Sequence, residues 1–183
     1  MSKFLDRSGS ALLVIDVQVG VLAEAFERGA KIANISLAVS KAREESVPVV
    51  WVQHSDEELV LDSPEWEIVS ELSPSPREVR VRKTFRSSFE ETNLEKILED
   101  LGVSHLFICG AETNNCVRHT SHTALEMGYD LTLISDAHTT TGFEWNGFIV
   151  DASRVIDEQN TNFMDYSLPD RTARAIPVAE LLF

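Results

Sequence analysis

Apolar residues fall along this chain in two alternating rhythms. Short, nearly unbroken runs occupy 11–16 (ALLVID), 49–52 (VVWV), 106–109 (LFIC) and 131–134 (LTLI). Runs of that length, without polar alternation, predict strands of a parallel sheet covered on both faces. Between them the apolar spacing changes to about 3.6. Ile32, Ile35, Ala38 and Val39 put one apolar stripe on a helix over 31–45, and a shorter helix is expected over 21–26. Thr92 with Glu95 forms a capping-box pattern for a helix over 92–101 that Gly102 ends. Val155 and Ile156 mark another helix over 151–160, and a short strand near 174–177 with a terminal helix over 178–182 closes the chain. Residues 78–83 (EVRVRK) alternate, as a peripheral strand does, and 136–145 reads as a loop. The acidic stretch 56–71, with Trp66 and Ile68 as anchors, and the SPSP loop at 73–76 complete the connections. Strands alternating with helices predict a three-layer α/β/α sandwich on a mostly parallel, Rossmann-like sheet, with 1–183 as a single domain.

Composition narrows the function. The chain has 183 residues, 43% of them hydrophobic, and 16 basic against 30 acidic residues give a net charge of -14. So acidic a chain disfavours nucleic acid and anionic membranes as partners, and no apolar run reaches the roughly 20 residues that span a bilayer. The N-terminus lacks an apolar segment followed by a cleavage site. The two cysteines, Cys109 in a strand and Cys116 at a helix start, are unsuited to a disulfide, so a cytoplasmic setting is expected.

The candidate chemistry lies in 104–140. A strand runs to Cys109, Gly110 breaks it, Thr113, Asn114 and Asn115 supply cap-type residues, and Cys116 opens a helix that ends at Gly128. A helix start offers backbone N–H groups and a positive dipole end, which favour a thiolate and a developing oxyanion. Ligands of parallel sheets bind beyond the carboxyl ends of strands. Asp16, His54, Lys83, Cys116 and Asp136 all fall at such ends. Cys109 reads as core and His138 as a loop residue; His119, three residues beyond Cys116, is a conceivable dyad partner.

Taken in order, ALLVIDVQ (11–18), VVWVQH (49–54), RKTFRSSF (82–89), GAETNNCV (110–117) and ALEMGYDLTLISDA (124–137) resemble the isochorismatase-like cysteine hydrolases, the superfamily of nicotinamidases and N-carbamoylsarcosine amidohydrolases. The resemblance covers nearly the whole chain. It implies a triad in which Cys116 is the nucleophile, Asp16 is the proton acceptor with a pKa raised by burial, and Lys83 supplies positive charge to both. It implies an oxyanion hole from the backbone N–H groups of Glu112 and Cys116, and a cis peptide at Ala111–Glu112. Gln18, His54, Ser88 and Phe89 are the candidate substrate contacts. Val52 stands where nicotinamidases carry the aspartate of a metal-binding Asp-x-His, so no metal and no cofactor are expected. The expected substrate is a small amide or carbamoyl compound cleaved at a C–N bond, and the expected assembly is a homo-oligomer, dimer or tetramer. A non-enzymatic scaffold with the same fold, and isochorismatase-type hydrolysis without the thiol, stay open as alternatives.

Overall fold

A computed structural model describes residues 2–183. Its six-stranded sheet has the order β3-β2-β1-β4-β5-β8, with every neighbouring pair parallel. The strands are β1 (Gly9–Ile15), β2 (Val49–His54), β3 (Val79–Lys83), β4 (Val103–Ala111), β5 (Asp130–Thr139) and β8 (Ala173–Ile176). A two-stranded antiparallel hairpin, β6 (Phe143–Trp145) and β7 (Phe148–Val150), stands apart from that sheet. Four α-helices are described: α1 (Arg28–Glu44), α2 (Leu94–Asp100), α3 (Arg118–Met127) and α4 (Ala152–Asp165).

Successive residues of a strand face opposite sides, and the core divides accordingly. Leu12 and Val14 pack with Ile35, Ala38 and Val39 of α1 on one face. Ala11, Leu13 and Ile15 pack on the other with Leu94 and Leu98 of α2, Ala124 and Leu125 of α3, and Phe163 of α4. Both faces being covered is why the strands read as apolar runs rather than alternating ones. Edge strand β3 keeps the alternation, with Arg80 and Arg82 outward and Val81 inward. Trp66 and Val69 are buried anchors of the acidic stretch, whose residues 65–69 run antiparallel to 17–20 through the Val19 N–H to Glu67 and Gly20 N–H to Glu65 carbonyl bonds.

Several elements depart from the sequence expectation. Residues 21–26 form turns rather than a helix, because α1 starts at Arg28 after Glu27 takes a left-handed φ of 50°. Helix α2 starts at Leu94; the Thr92 hydroxyl accepts the Leu94 N–H at 3.2 Å and donates to the Ser88 carbonyl at 2.6 Å. Gly110 does not end its strand. It holds a φ of 118°, and a Cβ there would lie 2.0 Å from the Ile15 carbonyl oxygen, so its missing side chain lets β4 close on β1 while the chain continues to Ala111. Strand β5 runs on past Ile134 to Thr139, with Gly110 paired to His138 and Ala111 to Thr139. The last expected helix is a single 3₁₀ turn, Val178–Glu180.

The chain reverses direction across the sheet between β1 and β4. In open parallel sheets the ligand crevice lies at such a switch point, outside the carboxyl ends of the strands.

Candidate active site

Asp16 is the first residue after β1. Its N–H donates to the Val52 carbonyl at 2.9 Å, and its φ of 50° turns the chain off the sheet. Aspartate tolerates that left-handed region better than most residues. Lys83 ends β3, two strands away, directly across from His54 of β2. Its side chain crosses the end of β2 and places Nζ 2.7 Å from Asp16 Oδ2 and 3.1 Å from Cys116 Sγ. The Phe85 carbonyl at 3.2 Å and His54 Nδ1 at 3.4 Å complete its surroundings. Both members of the ion pair are buried, with side chains 0% (Lys83) and 2% (Asp16) exposed.

Cys116 sits in a π-helical turn, Thr113–Val117, that precedes α3. Its i→i−5 bond runs from the Val117 N–H to the Glu112 carbonyl at 3.1 Å, and Asn115 departs from helical geometry at φ -116°, ψ -105°. Such π turns often mark functional positions. The Ala111–Glu112 peptide bond leading into the turn is cis.

The electrostatics revise the expectation of a preformed thiolate. Burial, then the negative charge of Asp16, push the Cys116 thiol up to about 12, and the opposing pull of Lys83 is the smaller effect. Both effects favour the protonated thiol over the thiolate. Burial acts on Lys83 in the downward direction, but the Asp16 carboxylate, with a contribution from the sulfur, outweighs it and its pKa lies above the usual lysine value. Lys83 thus joins a buried ion pair with Asp16 to a contact with the Cys116 sulfur.

A cleft of about 370 Å³ opens over this cluster, lined by Asp16 and Cys116 together with His54, Glu112, Asn115 and Arg86. It runs into an adjoining cavity of about 430 Å³ that shares Val21, His54, Asp56, Glu58 and Glu112. Three expected substrate contacts do not line it. Gln18 is buried below, its Nε2 donating to the His54 and Trp66 carbonyls and its Oε1 accepting the His54 N–H. Ser88 is buried against the Thr120 hydroxyl at 2.9 Å, and Phe89 packs on Tyr129. His54 does line it, with its Nε2 3.0 Å from Asp56. Asp136 lies away from the cleft, its carboxylate accepting the Val178 N–H at 2.8 Å, and the His119 ring is taken by the Asn115 carbonyl. Val52, buried in β2, offers no ligand, and no group of three or more His, Cys, Asp or Glu among the described residues is placed to hold a metal.

Sequence reasoning missed a supporting chain. His138 is buried within β5, not in a loop. Asn160 Nδ2 donates to the Ser135 carbonyl at 3.0 Å, so its Oδ1 must accept from His138 Nε2–H at 2.9 Å. That leaves His138 Nδ1 to accept the Thr113 hydroxyl proton at 2.8 Å. Burial holds this imidazole at a pKa of about 4, so the neutral tautomer anchors the start of the cysteine turn. Thr139 and Thr140 add bonds to the Phe26 carbonyl and to Asn114.

Comparison with known proteins identifies the family of the chain. The isochorismatase domain model matches residues 10–151. The chain is 37% identical to a streptothricin hydrolase of Streptomyces noursei over 136 residues, 71% of this chain and 49% of that protein. It is 33% identical over 78 residues, 43% of this chain and 35% of that one, to a ureidoacrylate amidohydrolase of Caulobacter vibrioides. It thus spans about half the length of the streptothricin hydrolases it matches. A crystal structure of an isochorismatase from Pseudomonas putida shares the fold with a TM-score of 0.86 at 24% identity, covering 94% of this chain and 90% of that one.

Proposed function

The chain belongs to the isochorismatase family, and on that premise we propose that it is a cysteine-dependent hydrolase that cleaves the C–N bond of a small amide or carbamoyl compound through an acyl-enzyme on Cys116. The observation that carries the reading is the placement of Lys83 Nζ between Asp16 Oδ2 at 2.7 Å and Cys116 Sγ at 3.1 Å, beneath a cleft that Asp16 and Cys116 line. The hydrolase and amidohydrolase names of its relatives support the reaction class.

In this reading the thiol waits protonated. As sulfur attacks the carbonyl carbon, its proton passes to Asp16, and the carbonyl π electrons move to oxygen. Backbone N–H groups of Glu112 and Cys116 receive that oxyanion. The tetrahedral adduct collapses, the C–N bond breaks, and protonated Asp16 hands its proton to the leaving nitrogen. Water then attacks the thioester and loses a proton to Asp16. The C–S bond breaks, and the sulfur recovers that proton. Lys83 stays an ammonium throughout. It keeps Asp16 oriented and offsets the charge that grows on sulfur.

Ammonia or amine release from a panel of small amides and carbamoyl compounds tests the reading. A substrate turned over by the wild type and not by Cys116→Ala or Asp16→Asn, both folded by circular dichroism, is expected. Cys116→Ala turning over at the wild-type rate would overturn it.

A further inference from the structure

Between β5 and α4 the chain leaves the sheet as a two-stranded ribbon. Asn146 and Gly147, at φ 50° and 79°, form the kind of two-residue turn that hairpins prefer. They set Phe143 against Val150 and Trp145 against Phe148 across β6 and β7. Alternation along each strand then puts those four side chains on one face. That face carries no charge, in a chain whose net charge is -14. Glu144 and Ile149 share the reverse face.

Most of this apolar surface lies open. Phe143 is 45% exposed, Trp145 69%, Phe148 72% and Ile149 79%. At about 200 Å² for a large apolar side chain, these exposures leave roughly 500 Å² of apolar surface on one ribbon. A patch of that size is at the upper end of what a lone chain shows and marks a contact site. A two-stranded ribbon is also only marginally stable until something packs on it. At its base Phe143 and Val150 line a compartment of about 440 Å³ with Arg86 and Asn115, which also border the Cys116 cleft. The patch therefore runs from the candidate active site out to the turn.

Area and charge select the occupant. A stable interface takes about 800 Å² from each partner, and the ribbon supplies more than half of that. The partner must offer an equally apolar face, because this one has no ion to pair. The chain's own ribbon is such a face, and two-fold association brings a patch onto its own copy. Two chains of net charge -14 repel, so copies meet most favourably through a face that adds no acid to the contact. We propose that two copies of this chain associate about a two-fold axis through the β6–β7 ribbon, burying Trp145, Phe148 and Ile149 of each against the other. This contact does not depend on which bond the site cleaves.

Sedimentation velocity and acrylamide quenching together test it. Trp51 and Trp66 are buried, so of the three tryptophans only Trp145 reports on the ribbon. At about 100 µM, above the micromolar Kd of a weak interface of standard size, the wild type is expected to sediment as a dimer with none of the three open to the quencher. High salt is expected to hold or tighten the dimer, because it screens the repulsion between acidic chains and leaves the apolar contact. Phe148→Glu/Ile149→Glu keeps the reporter and sets carboxylates in the contact. It is expected to be a monomer in which one tryptophan of three is quenched. Trp145→Phe is expected to stay a dimer and gives the baseline without the reporter. Leu5→Glu/Leu182→Glu adds the same charge at apolar positions that are at least as exposed, and should stay a dimer. Circular dichroism checks that each variant folds, and Phe148→Ser is read in the same way if the ribbon pair of glutamates does not. A wild-type monomer with Trp145 quenched would leave the ribbon to a different partner, and a monomer with Trp145 shielded would mean that it folds back on its own chain. A dimer with Trp145 quenched, or one that survives Phe148→Glu/Ile149→Glu, would place the contact elsewhere. Each of these results overturns the proposal, as does dissociation at high salt.

Discussion

The two cysteines of this chain stand seven positions apart and share almost nothing but their side chain. Cys109 lies inside β4, buried, with only the Leu13 carbonyl at 3.7 Å near its sulfur. Cys116 lies in the π turn that follows, half-buried, facing a cleft, with the Lys83 ammonium at 3.1 Å. Burial pushes both thiols upward, Cys109 further than Cys116. A lowered pKa therefore does not set Cys116 apart from Cys109. What distinguishes Cys116 is access to a cleft, the Asp16 carboxylate just after β1 and the Lys83 ammonium at the end of β3, both groups far from it in sequence.

The sharpest way to break that contrast is to exchange the roles by mutation. Cys116→Ala is expected to lose more than about 10⁴-fold in kcat, the scale of losing a covalent nucleophile. Cys109→Ala should keep kcat within about twofold and cost about 1 kcal/mol of stability by urea titration, since it removes one small buried group. Asp16→Asn keeps the shape and removes the acceptor, with an expected loss of about 10²- to 10⁴-fold in kcat. Lys83→Met tests the cation. It leaves the Asp16 carboxylate buried without its partner, and breaking such a pair costs about 3–5 kcal/mol, so both stability and activity should fall.

Alkylation sharpens the contrast in a different direction. With the Cys116 thiol near 12, its thiolate fraction rises about tenfold per pH unit from pH 6 to 10, and iodoacetamide labelling of Cys116 should rise with it without a plateau. Cys109 should stay unlabelled while the protein is folded. A plateau below pH 8 would mean that Lys83 outweighs burial and that a thiolate is preformed. The smallest effect is expected at the support: His138→Ala frees the Thr113 hydroxyl and should lower kcat by about tenfold at most, with little change in KM.

What could be read in advance follows from the same physics. The parallel strands announced themselves because both faces of the sheet are covered, so Ala11 to Ile15 and Val49 to Val52 had to be apolar throughout. Asp16, His54, Lys83, Cys116 and Asp136 could be singled out because strand ends in such a sheet converge, whatever their separation in sequence, and the resemblance to the cysteine hydrolases narrowed them to Asp16, Lys83 and Cys116. The extension of β5 could not. Its last residues, Ser135 to Thr139, are polar but for Ala137, and His138 and Thr139 find Asn160, Thr113 and the Phe26 carbonyl as partners only in the folded protein. The walls of the cleft were hidden for a similar reason. Gln18, Ser88 and Phe89 lie within a few residues of the triad but turn into the packed interior, whereas Glu58 and Glu65 come from a loop brought over the site by the Gln18–Ile68 bridge. Periodicity reports which face of an element is buried, and loops have none to report.

The most direct test of the account is a rapid quench of the wild-type enzyme during turnover of an amide from the ammonia-release panel, followed by intact-mass measurement and peptide mapping. The account predicts a transient mass increase equal to the acyl group, carried on the peptide that contains Cys116 and absent from Cys116→Ala. Turnover with no adduct, together with Cys116→Ala working at the wild-type rate, would contradict it.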